Sequence, residues 1–291
     1  MTFEDSGIYL RSNSGQEKTK CPECSPGRRK KSDPCLSVNI DEGIWNCHHC
    51  GWKGSLNIKN DIPVKPIPVI KPTPPKTDLP EKVYKWFSDR GISEAVVEDA
   101  KIGYDNRWIQ FPFYKNDEVV NIKSRTADKQ FRQSKNAEKC FYRFDSMVGM
   151  KTIIITEGEM DALSLVEAGY NNVVSVPDGA IAPNSNPSDR KFSYLLSAEE
   201  HLMNATTIIL AMDSDSSGNA MREELSRRIG REKCYRVSYP DDCKDMNEVL
   251  TTHGIDKLTE IITEAHPYPI DGVVLVSDVT EDAIDLLKTP D

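Results

Sequence analysis

The stretch IILAMDSDSSG (residues 208–218) joins an apolar run to two aspartates and a Ser/Gly turn. The apolar run predicts a buried strand, and Asp213 and Asp215 follow it two positions apart. In an extended chain alternate side chains share a face, so the two carboxylates would lie side by side. Like charges at that distance repel and shift each other's pKa. We therefore expect a cation to offset the repulsion.

The chain around this stretch alternates strand and helix patterns. Strands are predicted for KTIIIT, NNVVSVP, TTIILAM and KCYRVSYP, and helices for EMDALSLVEAG, DRKFSYLLSAEEHLMN, GNAMREELSRRIG, MNEVLTTHG and IDKLTEIITEA. Such alternation indicates βαβ units, that is, an α/β fold with a mainly parallel sheet. Ligands of these sheets bind at the carboxyl ends of the strands.

That rule places further carboxylates beside the aspartate pair. Glu157 follows TIIIT directly, Glu159 and Asp161 lie in the next helical turn, and Asp245 follows YRVSYP. For Asp161 and Asp245 a helix cap is an equal alternative. Glu157 and the aspartate pair lie on neighbouring strand ends, and they predict a Mg²⁺ site, with Mn²⁺ as the alternative ion. Hard cations take oxygen ligands and serve phosphoryl transfer.

Composition excludes several classes of protein. The chain has 291 residues and a formal charge of −9, and it has no apolar run near the ~18 residues that a bilayer crossing needs. Its N-terminus lacks a signal pattern, so we expect a cytoplasmic protein without a membrane partner. One segment, 119–143, is basic despite the overall charge. Its cations are Lys123, Arg125, Lys129, Arg132, Lys135, Lys139 and Arg143.

Paired cysteines mark a separate N-terminal module. Cys21-x2-Cys24 and Cys47-x2-Cys50 are separated by twenty-two residues, and this spacing predicts a four-thiolate Zn²⁺ ribbon of small antiparallel strands. Cys35, His48 or His49 could replace one ligand. Cys140 and Cys234 stand apart and are predicted to be core residues.

Five segments follow from these patterns. We expect a zinc ribbon that binds template DNA (1–60), a proline-rich flexible linker (61–78), a basic α+β subdomain (79–150), a catalytic α/β domain (151–265) and an acidic tail (266–291). The linker contains DIPVKPIPVIKPTPPK, with six prolines in sixteen residues. Proline fixes φ and removes a hydrogen-bond donor, so this segment is a semi-extended tether.

Two groups of cations predict contacts with nucleic acid. GRRKKSD (27–33) lies between the cysteine pairs, and Trp45 and Trp52 lie near the second pair. We expect one tryptophan to be core and the loop to bind single-stranded DNA, which is held by backbone charge and base stacking. In the basic segment the candidates for nucleotide and template phosphates are Lys123, Arg125, Lys129 and Arg132.

The acidic motifs resemble a known domain. TEGEMDAL, AMDSDSSG and CKDMNE are similar to the three motifs of the Toprim domain, which primases, topoisomerases and some nucleases share. The resemblance implies that Glu157 is a catalytic acid/base or metal ligand, and that Asp213 and Asp215 bind Mg²⁺. VVSVPDGA (173–180) resembles the second strand of that family.

The order of the segments resembles the primase half of phage-type bifunctional primase–helicases, which are related to the organellar Twinkle proteins. The resemblance implies a DNA-dependent RNA primase that uses a single-stranded DNA template and ribonucleoside triphosphates. It also implies a replicative helicase, fused or separate, and a DNA polymerase as partners, in the cytoplasm of a bacterial or phage-infected cell. No G-x-x-x-x-G-K-[ST] motif occurs, so no helicase ATPase is expected within these residues.

Two other functions remain as alternatives. A non-catalytic module that binds single-stranded DNA and loads a helicase would not need the clustered acids, which destabilise a fold when no cation lies between them. A Toprim nuclease would need the acids, but it would have no evident use for the zinc ribbon and the tether.

Overall fold

The computed structural model describes residues 2–28, 30–56, 68–183 and 189–270. The chain divides into two compact units, residues 1–66 and 67–291. Part of the predicted linker (61–67) and most of the predicted acidic tail (271–291) lie outside the described residues.

The first unit is a four-stranded antiparallel sheet. Its strands follow one another in order and are β1 Gln16–Thr19, β2 Leu36–Asn39, β3 Ile44–Cys47 and β4 Lys53–Ser55. Period-two burial in β2 and β3 turns one face inward, as expected for strands with one buried face. Trp45 is in this core at 7% exposure, and Trp52 packs against it with 5.4 Å between ring centroids. The expectation of one core tryptophan is confirmed.

The second unit begins with helices and an antiparallel sheet. The helices are α1 Glu81–Ser88 and α2 Glu94–Asp99, and the strands are β5 Gly103–Asp105, β6 Trp108–Lys115, β7 Glu118–Arg125 and β8 Phe131–Gln133. Ser93 caps α2, since its hydroxyl accepts a hydrogen bond from the Val96 amide. A serine that accepts a hydrogen bond from the first helical turn is a typical helix start.

A five-stranded sheet forms the centre of the second unit. Its spatial order is β10-β9-β11-β12-β13, where the strands are β9 Thr152–Thr156, β10 Val173–Ser175, β11 Thr207–Ala211, β12 Cys234–Arg236 and β13 His266–Pro267. The first four strands pair in parallel, and β13 pairs antiparallel with β12. The α/β fold with a mainly parallel sheet is confirmed.

Five helices connect and cover these strands. They are α3 Glu159–Glu167, α4 Ser193–Ser197, α5 Glu199–Asn204, α6 Ser216–Ile229 and α7 Met246–Thr263. The single helix predicted for residues 189–204 is wrong, because Phe192 and Ala198 leave helical geometry and divide the segment. The two predicted C-terminal helices, residues 246–254 and 255–265, are joined in α7, which leaves helical geometry at Gly254 and ends at Thr263.

One apolar core spans both sheets of the second unit. Cys140 and Cys234 are buried in it, as predicted. The strands β9 and β11 bury almost every side chain, which is typical of strands covered on both faces. Within the described residues, no helix has both the length and the apolar character that crossing a bilayer requires.

Candidate active site

The ends of β9 and β11 bring the first two acids together. The strands pair in parallel with Ala211 opposite Thr156, so Glu157 and Asp213 leave the sheet at the same edge. The Glu157 carboxylate lies against the backbone amides of Asp213 and Ala180. Its Oε2 atom is buried without a hydrogen-bond partner. A buried carboxylate oxygen without a donor suits a cation ligand.

Burial and mutual repulsion perturb both acids. Burial and then the charges of Glu157 and Asp245 raise the pKa of Asp213 to about 7. Burial and then Asp215 raise the pKa of Glu157. Perturbed titration in a cleft is typical of functional sites. A divalent cation among these oxygens would favour their charged forms, so the donor set fits Mg²⁺.

Asp161 and Asp245 extend the acidic group from neighbouring helices. Asp245 caps α7, because its Oδ1 accepts a hydrogen bond of 2.8 Å from the Glu248 amide. Asp161 is buried in α3 and accepts a 3.2 Å bond from the Asn247 amide. Burial and the charge of Asp245 raise the pKa of Asp161 well above its usual value. Both acids thus have a structural hydrogen bond and also line the site.

The Asp215 side chain caps a helix. Its Oδ1 accepts hydrogen bonds of 2.9 and 2.8 Å from the amides of Ser217 and Gly218, and so caps α6. Among the described residues, Glu157, Asp213 and Asp215 do not form a group with all ligand atoms within 4.8 Å of one another. The Asp215 charge nevertheless contributes to the raised pKa of Asp213, and the side-by-side arrangement of the two aspartates remains a prediction.

Gly218 makes this tight turn possible. A Cβ atom there would lie 2.3 Å from the Asp213 carbonyl oxygen. The sequence DSDSSG therefore folds the start of α6 back onto Asp213, and no larger residue than glycine fits at that contact.

A lysine between the acids was not anticipated from the sequence. Lys244 Nζ lies 3.1 Å from Asp245 Oδ2 and 3.8 Å from Asp213 Oδ2. Although burial opposes its charge, the hydrogen bond to Asp245 and the nearby carboxylates raise the pKa of Lys244. Lys244 therefore offsets part of the repulsion that the sequence assigns to a metal ion. Its position in CKDMNE, directly before Asp245, was the available signal.

Glu157, Asp161, Asp213 and Asp245 line a cavity of about 440 Å³, here called the sheet-end pocket. Its carboxylates are Glu157, Glu159, Asp161, Asp213, Asp245 and Glu248. Its cations are Arg90, Lys123, Arg125, Lys129 and Lys244. Carboxylates and cations that line the same pocket can hold a hard metal ion and a phosphate chain together.

The β7–β8 hairpin positions the predicted cations on two different faces. Arg125 pairs with Phe131 and Ser124 with Arg132, so strand alternation places Arg132 opposite to Lys123 and Arg125. The Arg132 guanidinium lies 4.2 Å from the Trp108 ring centroid and lines an adjoining cavity of about 670 Å³. The structure therefore does not bring all four predicted cations into one pocket.

Two arginines stack on one tryptophan at the pocket wall. Arg90 and Arg125 have their guanidinium carbons 3.9 and 5.1 Å from the Trp86 ring centroid. Burial and then Arg90 lower the pKa of Arg125, and Arg125 Nε is buried without a hydrogen-bond partner. Arg90 was missed by the sequence analysis, because it follows a helix remote from the acidic motifs.

The four predicted cysteine ligands meet in the first unit. The sulfur atoms of Cys21, Cys24, Cys47 and Cys50 all lie within 4.8 Å of one another. Although burial opposes the thiolate, amide hydrogen bonds from Cys50 and His49 lower the pKa of Cys47. Four thiolates at this spacing fit a structural Zn²⁺ ion.

The alternative zinc ligands lie around this group. Cys35 Sγ is 3.7 Å from Cys24 Sγ but does not belong to the group of four. His48 Nε2 is hydrogen-bonded to Ser37 Oγ at 2.9 Å, and His49 is exposed. The geometry therefore favours the four cysteines.

The first unit has an exposed aromatic residue, Tyr9, that was not predicted from the sequence. Tyr9 is 73% exposed and lines a cavity of about 500 Å³ with Arg11, Lys20 and Lys31. In the predicted basic loop, Arg28 is paired with Asp33 at 2.8 Å, and Arg29 lies outside the described residues. Cations beside an exposed ring are typical of surfaces that bind single strands.

Comparisons with known proteins agree with this arrangement. Residues 151–238 match the Toprim domain family. The chain is 34% identical to the primase homolog protein of Arabidopsis thaliana, over 86% of this chain and 81% of that protein. It is also 34% identical to the chloroplastic/mitochondrial Twinkle homolog of the same plant, over 89% of this chain, and spans only 40% of that protein's length.

A solved structure is also similar to this chain. The primase domains of a bacteriophage T7 protein, solved with the T7 lagging-strand DNA polymerase, an RNA/DNA hybrid and dTTP, are 26% identical to this chain with a TM-score of 0.53. The match covers 62% of this chain and 91% of that one. This chain therefore belongs to the Toprim primase family that includes the primase halves of phage-type and Twinkle-related primase–helicases.

Proposed function

We propose that this protein is a DNA-dependent RNA primase, a nucleotidyltransferase that makes short RNA primers on single-stranded DNA during replication. The observation that carries the proposal is the sheet-end pocket of about 440 Å³, which Glu157 and Asp213 line together with Arg125 and Lys129. Nucleotidyl transfer needs both parts, because phosphates carry negative charge and the attacking hydroxyl must lose a proton.

The acidic residues would have different roles in this reaction. Asp213 and Glu157 would hold Mg²⁺, which when bound supplies charge neutralisation at the reacting phosphate. Asp161 and Asp245 would supply further carboxylate oxygens around the ion. Asp215 would bind it through the carboxylate oxygen that does not cap α6. With a raised pKa, Glu157 also suits proton transfer from a ribonucleotide 3′-hydroxyl.

The cations bind the substrates. Arg125 and Lys129 would hold the triphosphate of the incoming nucleotide. Lys123 would contribute less, because its ammonium is paired with Glu159 at 2.8 Å. Arg132, on the other hairpin face, suits the template backbone instead.

The first unit would bind the template. Its four cysteines would hold Zn²⁺ and fix the ribbon, and Tyr9 would stack on a base beside Arg11 and Lys20. A helicase and a DNA polymerase are proposed as partners on the basis of the relatives, of which the T7 primase domains were solved with a polymerase.

One assay separates this function from its alternatives. The full chain is incubated with single-stranded DNA, Mg²⁺ and labelled ribonucleotides, and the products are resolved by size. Short RNA dependent on the template supports the primase. Shortened DNA supports a nuclease, and bound but unchanged DNA supports a helicase-loading module. The Asp213→Asn variant, which leaves the fold intact, must lose the RNA product.

A further inference from the structure

A second cluster of metal-ligating side chains lies outside the sheet-end pocket. Asp242 and Cys243 occupy the turn before α7, and His253 lies on α7 itself. Their ligand atoms all lie within 4.8 Å of one another. The proposed nucleotidyl transfer uses none of these three side chains.

The turn is held in place by backbone contacts. The Cys243 amide donates to the Pro240 carbonyl at 3.0 Å, and the Ser214 amide donates to the Lys244 carbonyl at 2.9 Å. Cys243 is only 6% exposed, so its thiol has a fixed position beneath the surface. Its side chain contacts those of Asp242 and Thr252.

The kink in α7 places His253 over this turn. Gly254, with φ 82° and ψ −175°, interrupts the helix directly after His253, and a residue with a side chain would be strained there. His253 Nε2 lies 2.9 and 3.0 Å from the two oxygens of Asp242. The first part of α7 thus ends at the cluster, where helix carbonyls favour positive charge.

The donor set differs in kind from that of the sheet-end pocket. One thiolate, one imidazole and one carboxylate suit Zn²⁺ and similar borderline ions, whereas oxygen atoms alone suit Mg²⁺. Three protein ligands leave a fourth tetrahedral position for water.

We propose that Asp242, Cys243 and His253 form a second transition-metal site that binds Zn²⁺ with one water. Binding releases the thiol proton of Cys243 to solvent, and the thiolate then serves as ligand. The bound ion ties the turn to α7. Because Lys244 and Asp245 follow directly in the chain, the ion also fixes the residues that reach into the sheet-end pocket.

Metal stoichiometry of the full chain tests the proposal. The protein is loaded with Zn²⁺ in excess Mg²⁺, which occupies oxygen sites, then desalted, and its bound zinc is counted. We expect one equivalent at the four cysteines and a second that is lost in His253→Ala and in Cys243→Ala. His266→Ala, a change at an exposed histidine outside the cluster, is the control and keeps both equivalents.

A second measurement, the unfolding temperature, distinguishes loss of zinc binding from misfolding of the variant. His253 is exposed and its contact with Asp242 is a surface ion pair, so in the metal-free protein His253→Ala should change the unfolding temperature only slightly. Zn²⁺ should then raise the unfolding temperature of the second unit only in wild type and His266→Ala. Equal zinc content in wild type and His253→Ala, or equal stabilisation of both by Zn²⁺, overturns the proposal.

Discussion

Lys123 and Glu159 form a buried ion pair on the wall of the sheet-end pocket, with 2.8 Å between Nζ and Oε1. Their side chains are 11% and 7% exposed. The pair links β7 of the antiparallel sheet to α3, the helix that follows β9 of the parallel sheet, and both of its residues line the sheet-end pocket.

Removing one partner of this pair should destabilise the second unit. Lys123→Met leaves the Glu159 charge buried without its hydrogen-bonded partner, which lowers the free energy of unfolding by about 3–5 kcal/mol. The double variant Lys123→Met/Glu159→Leu should recover most of that loss. Urea denaturation measures both. Lys71→Met, which breaks an exposed pair with Glu118, is the control and should cost less than about 1 kcal/mol. Equal stabilities of the single and double variants would contradict this.

Asp213→Asn should abolish primer synthesis without unfolding the chain. The change removes one charged oxygen ligand and one source of repulsion, so activity falls by at least about a hundredfold while stability is kept. Primer yield on single-stranded DNA and circular dichroism measure the two effects. Asp89→Asn, at an exposed ion pair with Lys85, should keep full activity. Retained synthesis in Asp213→Asn would show that this ligand is wrongly assigned.

Stability without metal should fall between about pH 4 and pH 7 in part because of Asp213. Its folded pKa of about 7 lies above its usual value of 3.8, so the folded state holds the proton more tightly than the unfolded state. That contribution is complete below pH 3.8 and is lost as pH rises towards 7. Asp213→Asn should flatten this part of the profile, as measured by urea denaturation in chelator. An unchanged profile would argue against the raised pKa.

Affinity for Mg²⁺ should weaken below about pH 7, because protons then compete for Asp213. Calorimetric titration of the full chain with Mg²⁺ on either side of that pH measures this effect. Asp213→Asn, whose amide does not titrate, should show a smaller dependence on pH. Affinity that is independent of pH in wild type would contradict a role for Asp213 as ligand.

Removal of zinc from the four cysteines should unfold the first unit and spare the second. The two units have separate apolar cores that share no residue among the described part of the chain. We expect the small core around Trp45 to depend on a metal held by the four cysteines, as in other small zinc folds. After treatment with a strong chelator, the fluorescence of Trp45 should move to longer wavelength as the side chain becomes exposed. Binding of template DNA should be lost at the same time. Loss of the second unit's secondary structure at the same chelator concentration would contradict this.

Tyr9→Ala should weaken binding of single-stranded DNA by about fivefold to a hundredfold, the range expected when one stacked base is lost. Tyr9→Phe keeps the ring and should bind as wild type does. Leu196→Ala, at an equally exposed apolar residue of the second unit, is the control. Fluorescence anisotropy at fixed salt measures all three. Wild-type affinity in Tyr9→Ala would place the stacking surface elsewhere.

Local patterns predicted the fold well. The apolar runs before Glu157 and Asp213 were long enough to specify buried parallel strands, and the cysteine spacing predicted the group of four sulfur atoms. The helix over residues 189–204 was predicted wrongly, since a helical pattern does not reveal that Phe192 and Ala198 leave helical geometry.

The acidic residues of the site show what a sequence pattern cannot predict. Sequence placed Glu157, Asp213, Asp215 and Asp245 near one edge, because the ends of parallel strands converge. It did not indicate that Asp215 turns to cap α6 or that Lys244 lies between Asp213 and Asp245. Those outcomes depend on which donors the folded chain brings within about 3 Å of each oxygen.

The order of residues by itself determined the group of four cysteines, the strand–helix alternation and the types of side chain available at the sheet edge, because these follow from spacing and periodicity. Only the tertiary structure decided that Lys123 pairs with Glu159, that Arg90 joins Arg125 on Trp86, and that His253 reaches Asp242 and Cys243. Contacts between segments far apart in the chain depend on how helices and sheets pack, and packing leaves no periodic signal in a sequence.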